Sequence, residues 1–314
     1  MREEFLWIEG PLGRMPAILH WPAVQLSESV CVVMFNAGQI GRAGPQRLYV
    51  NAARRWALSG IMCLRLDLAG VGDSPSRNDE RHFDGHRVEE AVAAVEYVAK
   101  RLVVATIYVQ GLCAGARVAL KCAAEDDRVL GVIAWSCPVL SSSPTSLKSP
   151  YEDADAVSNS AARDILLSGL DAVLRGRILR PSFWGRRASQ GRAEIRHVAR
   201  AVRQLARPQH PKGNPFLDAV DHLLRGGRNV LFVYGQKDAL PLGEFRDQYA
   251  NIPQGSSYAQ CFQIIPNATH TFNALSSQQE VIEISMAWLL QAIDRSGSAR
   301  LNTIRAETSG SAAA

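Results

Sequence analysis

The stretch Gly111-Leu112-Cys113-Ala114-Gly115 sets a thiol between two glycines, behind an apolar run (Val103 to Val109) and ahead of a helical one (Ala114 to Ala124). A strand that turns sharply into a helix needs small neighbours, because the residue at the turn sits in a strained backbone conformation with its side chain lifted above the sheet. The helix N-terminus beneath that residue favours a thiolate. The chemistry on offer is nucleophilic attack by Cys113, and it needs a base within reach and a group to orient the base. Asp238 follows the apolar run Val230 to Tyr234, and His270 lies in the loop Pro266 to Phe272. The sequence therefore predicts a triad in which Cys113 attacks, His270 carries the proton and Asp238 orients the imidazole. An oxyanion formed in acyl transfer needs two backbone N–H donors. One is expected at Ala114. The other is expected in Asn36-Ala37-Gly38-Gln39, at Gly38 first, with Ala37 and Gln39 as alternatives. The remaining histidines read differently: His20, His197, His210 and His222 as surface residues, and His82 and His86 as loop or capping residues.

The elements that must position these groups alternate. Phe5 to Trp21 reads as two antiparallel strands around Gly10 to Gly13. Val30 to Phe35 is a continuous apolar run, as a strand buried on both faces requires. Helical spacing follows over 45 to 58, with Leu48, Ala52, Trp56 and Leu58 inward. A strand over 61 to 67, a helix over 87 to 101, the Cys113 turn and a strand from Leu130 to Trp135 come next. Strands resume at 229 to 235 and 261 to 265, and an amphipathic helix covers about 278 to 293. Such alternation implies a parallel sheet with right-handed crossovers. The core is expected over 1 to 137 and 228 to 295, with a helical lid inserted over 138 to 227. The tail from 296 to 314 lacks apolar periodicity and is expected to be disordered.

Bulk properties narrow the classes. The chain has 314 residues, 47% of them hydrophobic and 21% charged, an ordinary globular composition. No run reaches the roughly 18 apolar residues of a membrane span, and no secretory signal is expected. The 6 cysteines form no Cys-x-x-Cys pair and no zinc spacing, and neither metal nor cofactor is expected. Cys31, Cys63 and Cys137 read as buried free thiols, which suits a reducing cytoplasm. The net charge of +5 has a local source. From Arg175 to Lys212 every charged residue is basic except Glu194. Arg192, Arg196 and Arg200 lie on a helix whose apolar stripe is Ile195, Val198, Val202 and Leu205. This pattern fits a solvated face or a docking surface for something acidic, such as a carrier protein or CoA, with a membrane surface as another fit. Nucleic acid fits poorly, because no stacking platform accompanies the charge.

Together these residues resemble the α/β-hydrolase superfamily, across roughly 28 to 137 and 228 to 294. Asn36-Ala37-Gly38, Asp67-x-x-Gly70-x-Gly72-x-Ser74, Gly111-x-Cys113-x-Gly115, Gly235-x-x-Asp238 and His270 carry the likeness. Two positions depart from the usual pattern: Asn36 stands where His-Gly is common, and Ala69 where Arg is frequent. The resemblance implies an α/β fold, the α/β-hydrolase fold: a mostly parallel sheet with helices on both faces and an inserted helical lid. Within the superfamily, Gly41-Arg42-x-Gly44-Pro45 and the cysteine nucleophile are similar to the group related to exosortase-associated hydrolases. Such proteins are often associated with acyl carrier proteins and acyl-activating ligases, which implies thioester chemistry. The expected activity is acyl transfer from a carrier-protein- or CoA-bound thioester to an amine, alcohol or water. The alternative is a carboxylesterase or dienelactone-type hydrolase. Gln39, Trp184, Arg192, Arg196 and Arg200 are the expected substrate or carrier contacts, with Phe183 and Trp184 able to line the pocket or the core.

Overall fold

The computed structural model describes residues 1–26, 29–75, 83–137, 215–238 and 262–310. Eight strands form one sheet: β1 (Arg2–Gly10), β2 (Gly13–Trp21), β3 (Val30–Phe35), β4 (Met62–Leu66), β5 (Thr106–Leu112), β6 (Val129–Trp135), β7 (Asn229–Gly235) and β8 (Phe262–Ile265). Their order is β1-β2-β4-β3-β5-β6-β7-β8. The β1–β2 hairpin joins β4 antiparallel, and from β4 to β8 all pairs are parallel.

The helices are α1 (Leu48–Leu58, entered through a 3-10 turn at Pro45–Arg47), α2 (Phe83–Arg101), α3 (Ala114–Glu125), α4 (Pro215–Arg225) and α5 (Leu275–Gly310). The apolar run of β3 explains the layering. Its residues alternate between two cores, because side chains of a strand point to opposite faces. Cys31, Val33 and Phe35 pack with residues of α2, α3 and α4; Val30, Val32 and Met34 pack with residues of α1 and α5. Each fully buried aliphatic side chain contributes about 1.5–3 kcal/mol. The chain order reverses at β3, with β4 on one side and β5 on the other. In parallel sheets the crevice at such a reversal, beyond the carboxyl ends of the strands, is where ligands bind.

Several expectations change, among them His86, expected in a loop or cap, which lies within α2. Leu58, expected inward, is 69% exposed, since it is the last residue of α1. The helix Pro215–Arg225, expected within the lid, belongs to the core unit, with Val220 and Leu223 buried in it. The core unit is Met1–Leu140 with Asn214–Ala314, and the lid expected over 138 to 227 lies for the most part outside the described residues. The last helix continues to Gly310, through most of the segment expected to be disordered. Ala299, Arg300, Leu301, Arg305, Ala306 and Glu307 are good helix formers, and intrinsic propensity needs no apolar stripe. Among the described residues no helix is long and apolar enough to cross a membrane.

Candidate active site

Cys113 sits between β5 and α3 with φ 57° and ψ −120°. A non-glycine residue held there costs about 1–3 kcal/mol, and the surroundings must impose it. They do so through named contacts. The Cys113 amide donates to the Trp135 carbonyl at 2.9 Å, and its own carbonyl accepts from the Ala116 amide at 3.0 Å. The flanking glycines set the turn by absence of side chain. A Cβ on Gly111 would lie 2.1 Å from the Gly115 carbonyl carbon, and one on Gly115 would lie 2.4 Å from the Asn36 carbonyl oxygen. The elbow is thus pressed against the loop after β3. Cys113 itself remains partly accessible.

The fold brings His270 and Asp238, the expected base and its expected orienting acid, together. His270 Nδ1 and Asp238 Oδ2 are 2.7 Å apart, with the Asp238 side chain fully buried and that of His270 16% exposed. Backbone bonds lock their two loops to one another. The Gln236 amide donates to Ile265 and the Lys237 amide to Ala268, both at 2.9 Å. Nε2 of His270 is buried, with no bond of full hydrogen-bonding geometry. That nitrogen is the one left for Cys113, and such bonds often tighten only when substrate binds. Burial lowers the basicity of the ring. The hydrogen bond to Asp238, the interaction with the Cys113 thiol, and the charges of both groups outweigh it and raise the His270 pKa to about 10.

The loop expected to hold the oxyanion lies at the order reversal, at the end of β3 and beside the end of β5. Ala114, the first residue of α3, has an amide with no intrahelical acceptor. Gly38 adopts φ 61°. Its carbonyl accepts from Arg87 Nη1 at 3.3 Å, which fixes the peptide plane it shares with the exposed Gln39. Trp184, Arg192, Arg196 and Arg200 lie outside the described residues, as do His82, His197 and His210, Phe183 and Cys261. Cys31, Cys63 and Cys137 are buried, and none of them is held in a disulfide. His222 is exposed as expected. His20 is not: β1 and β4 flank its strand, and it is fully buried.

Sequence reasoning missed the residues that hold this loop. Asn36 is buried, accepts from the Leu68 amide at 2.8 Å, and donates to Asp67 Oδ1 and to the Ile40 carbonyl, each at 3.1 Å. Asp67 also accepts from the Arg42 amide at 2.5 Å and from the Arg42 guanidinium. The Asp67 motif is therefore a clasp on the loop after β3. The Tyr49 hydroxyl donates to the Phe35 carbonyl at 3.0 Å and accepts from the Leu112 amide at 2.8 Å, joining that loop's strand to the elbow. The family pattern around Asp67 was the available signal for the clasp; Tyr49 carried none. Asp67→Asn would exchange an acceptor for an amide and strip Arg42 of its buried counter-charge. Arg42 is partly exposed and keeps Asp73, so we expect a loss of about 1–3 kcal/mol, read by denaturant unfolding, with kcat falling as the loop loosens. A change below 1 kcal/mol would show that the clasp does not bear on the loop.

No protein-family model matches the chain, and no curated protein matches it. Solved structures do resemble it. Est1E from Butyrivibrio proteoclasticus, solved with ferulic acid bound, is 20% identical with a TM-score of 0.56, over 92% of this chain and 99% of that one. Dienelactone hydrolase from Anabaena variabilis is 14% identical with a TM-score of 0.55, over 92% and 97%. An α/β serine hydrolase homologue from Coxiella burnetii is 16% identical with a TM-score of 0.54, over 92% and 98%. At these identities the likeness is one of fold, and the chain has the α/β-hydrolase fold.

Proposed function

We propose that the protein is a cysteine-dependent acyltransferase or thioesterase acting on an acyl thioester. The observation that carries this reading is Cys113 at a strained strand–helix elbow together with His270 bound to the buried Asp238. In the first half-reaction Cys113 Sγ gives its proton to His270 Nε2 and bonds to the carbonyl carbon. The tetrahedral oxyanion is held by the Ala114 amide and by the loop at Gly38. Collapse breaks the bond to the leaving thiolate, which takes the proton from His270. In the second half-reaction His270 takes a proton from water, an amine or an alcohol, and that acceptor attacks the acyl-cysteine. The thiolate of Cys113 leaves and recovers the proton. A thiol exchanging with a thioester is nearly balanced, and the resulting acyl-cysteine reacts with amines better, relative to water, than an oxygen ester does. Cysteine at this position therefore suits transfer as well as hydrolysis. The basic run from Arg175 to Lys212, with Arg192, Arg196 and Arg200, supports an acidic carrier protein or CoA as the donor's handle.

The test is intact-mass analysis after mixing the protein with a panel of acyl-pantetheine thioesters, with Cys113→Ala as control. An acyl-sized mass increase that is absent from Cys113→Ala is expected, and adding water, amines or alcohols then separates hydrolysis from transfer. A second reading, hydrolysis of small esters or lactones, is favoured by the fold likeness to a dienelactone hydrolase and to a protein that binds ferulic acid. Turnover of aryl esters or lactones, with no adduct from any thioester, would replace the first reading with the second. Carrier or CoA recognition should also weaken steeply with ionic strength, and small-ester hydrolysis should not.

A further inference from the structure

A cavity whose lining includes neither Cys113 nor His270 opens beside the segment Ile40 to Ala43, just past the loop expected to hold the oxyanion. Its volume is about 480 Å³, within the range of about 300–1,000 Å³ typical of small-molecule sites. Arginines dominate its wall: Arg42, Arg47, Arg54 and Arg65, against the carboxylates of Glu3 and Asp67. Both carboxylates are already engaged. Glu3 Oε1 accepts from Arg54 Nε at 2.6 Å, and Asp67 accepts from Arg42, which also reaches Asp73 at 2.8 Å. Arg47 and Arg65 have no carboxylate partner among the described residues.

Arg65 is the telling member, because it is 5% exposed. Its Nε donates to His20 Nε2 at 2.9 Å and its Nη1 to the Arg42 carbonyl at 2.8 Å. Both partners are neutral. By accepting at Nε2, His20 carries its proton on Nδ1, and burial followed by the Arg65 charge pulls its pKa down to about 4. Among the described residues the only carboxylate acting on it by charge is Glu3, which is already paired with Arg54 and lies 3.6 Å from His20 Nδ1. A buried guanidinium bonded directly to neutral acceptors alone therefore gains from an anion supplied by a ligand. Ile18, Ile40, Ala43 and Val50 give the cavity an apolar wall as well.

We propose that this cavity binds a phosphomonoester, its dianionic phosphate held by Arg65 and Arg47 and its organic part against Ile18, Ile40 and Val50. Guanidinium forks match phosphate oxygens in pairs, and two cations with no ion pair to a carboxylate among the described residues balance a charge near −2. The Gly41 and Arg42 wall continues the chain from Gly38, so an occupant touches the same loop that is expected to hold the oxyanion. Only the link to a CoA donor rests on the thioester reading; the phosphate site itself does not.

The test titrates inorganic phosphate into the full-length protein by calorimetry, with chloride at matched ionic strength as reference. It is repeated on Cys113→Ala to keep catalysis out of the readout. Saturable binding is expected with phosphate and not with chloride. Arg47→Ala, at an exposed position, should weaken it about tenfold or more. Glu3→Gln frees Arg54 and should tighten it, a change of opposite sign that a general loss of structure would not produce. Heat with phosphate no greater than with chloride, or binding unchanged in both variants, overturns the proposal. Acyl-CoA and acyl-dephospho-CoA then separate the sources. A KM that rises without the 3′-phosphate in the wild type, but not in Arg47→Ala, assigns the pocket to the donor. Equal KM values beside retained phosphate binding assign it to a separate phosphomonoester.

Discussion

Asp238→Asn is expected to lower kcat/KM by about 10⁴-fold, the scale seen when the orienting carboxylate of a triad becomes an amide. The reason is tautomeric. Asp238 accepts from His270 Nδ1 at 2.7 Å, which leaves Nε2 as the atom that receives the Cys113 proton. An amide nitrogen in place of the carboxylate oxygen donates to Nδ1 and moves the ring proton to Nε2, where it opposes the thiol. A second readout separates this from a general loss of structure. In the native protein His270 is raised from 6.5 to about 10, with burial opposing and Asp238 leading the groups that favour the charged ring. A folded pKa above the unfolded one contributes stability that is complete below about pH 6.5 and lost as pH rises through about 10. Melting temperature followed from pH 6 to 11 should therefore fall on the alkaline side in the native protein. In Asp238→Asn burial dominates and this alkaline loss should largely disappear. Parallel melting curves, with kcat/KM within tenfold of native, would remove Asp238 from the triad.

The same balance bears on the two half-reactions. The Cys113 thiol is among the groups that raise His270, and acylation removes it. Burial, the leading effect and the one that lowers the pKa, then weighs more heavily. On the proposed mechanism His270 would be less basic in the acyl-enzyme, which would suit a ring that accepts a proton from the acceptor. The apparent pKa of deacylation in single-turnover experiments is accordingly expected to lie below that of acylation, although each belongs to the coupled pair rather than to one residue.

Much of this arrangement was legible in the chain. The apolar run Val30–Phe35, the glycines around Cys113, and the order Cys113, Asp238, His270 are local patterns, and each maps to a local structural demand. What escaped was the scaffolding between segments. Asn36, Arg42 and Asp67 are polar loop residues whose partners lie about 30 positions away, and their pairing exists only because β3 and β4 are neighbours. Tyr49 reads as a helix residue, and only the fold brings its hydroxyl to Leu112. His20 alternates into a strand face that looks exposed until Arg65 of β4 is laid beside it. Leu58 and the extension of α5 to Gly310 are helix-end questions, which propensity decides and amphipathic pattern does not.

Gly115→Ala tests whether the elbow and the oxyanion loop form one unit. The added methyl is the smallest possible side chain, yet its carbon would lie 2.4 Å from the Asn36 carbonyl oxygen and 2.7 Å from that of Phe35. Both obstacles are backbone, so no rotamer relieves them. Either α3 moves away from β3, shifting Cys113 and the Ala114 amide, or the Asn36 peptide turns and carries Gly38 with it. Each route separates the nucleophile from the oxyanion donors, and loss of one donor alone costs about 10²–10³ in kcat. We expect kcat to fall by at least that factor, with about 1–3 kcal/mol of destabilisation from overpacking. Gly226→Ala is the matched control, because there the new Cβ would stand 3.3 Å from the His222 carbonyl oxygen, far from the elbow. A Gly115→Ala protein with native kcat would mean that the loop after β3 adjusts without disturbing the oxyanion donors, and the second donor would then have to be sought elsewhere than Gly38. A fall in kcat with KM little changed, absent from Gly226→Ala, would show that what the glycine protects is the transition state rather than substrate binding.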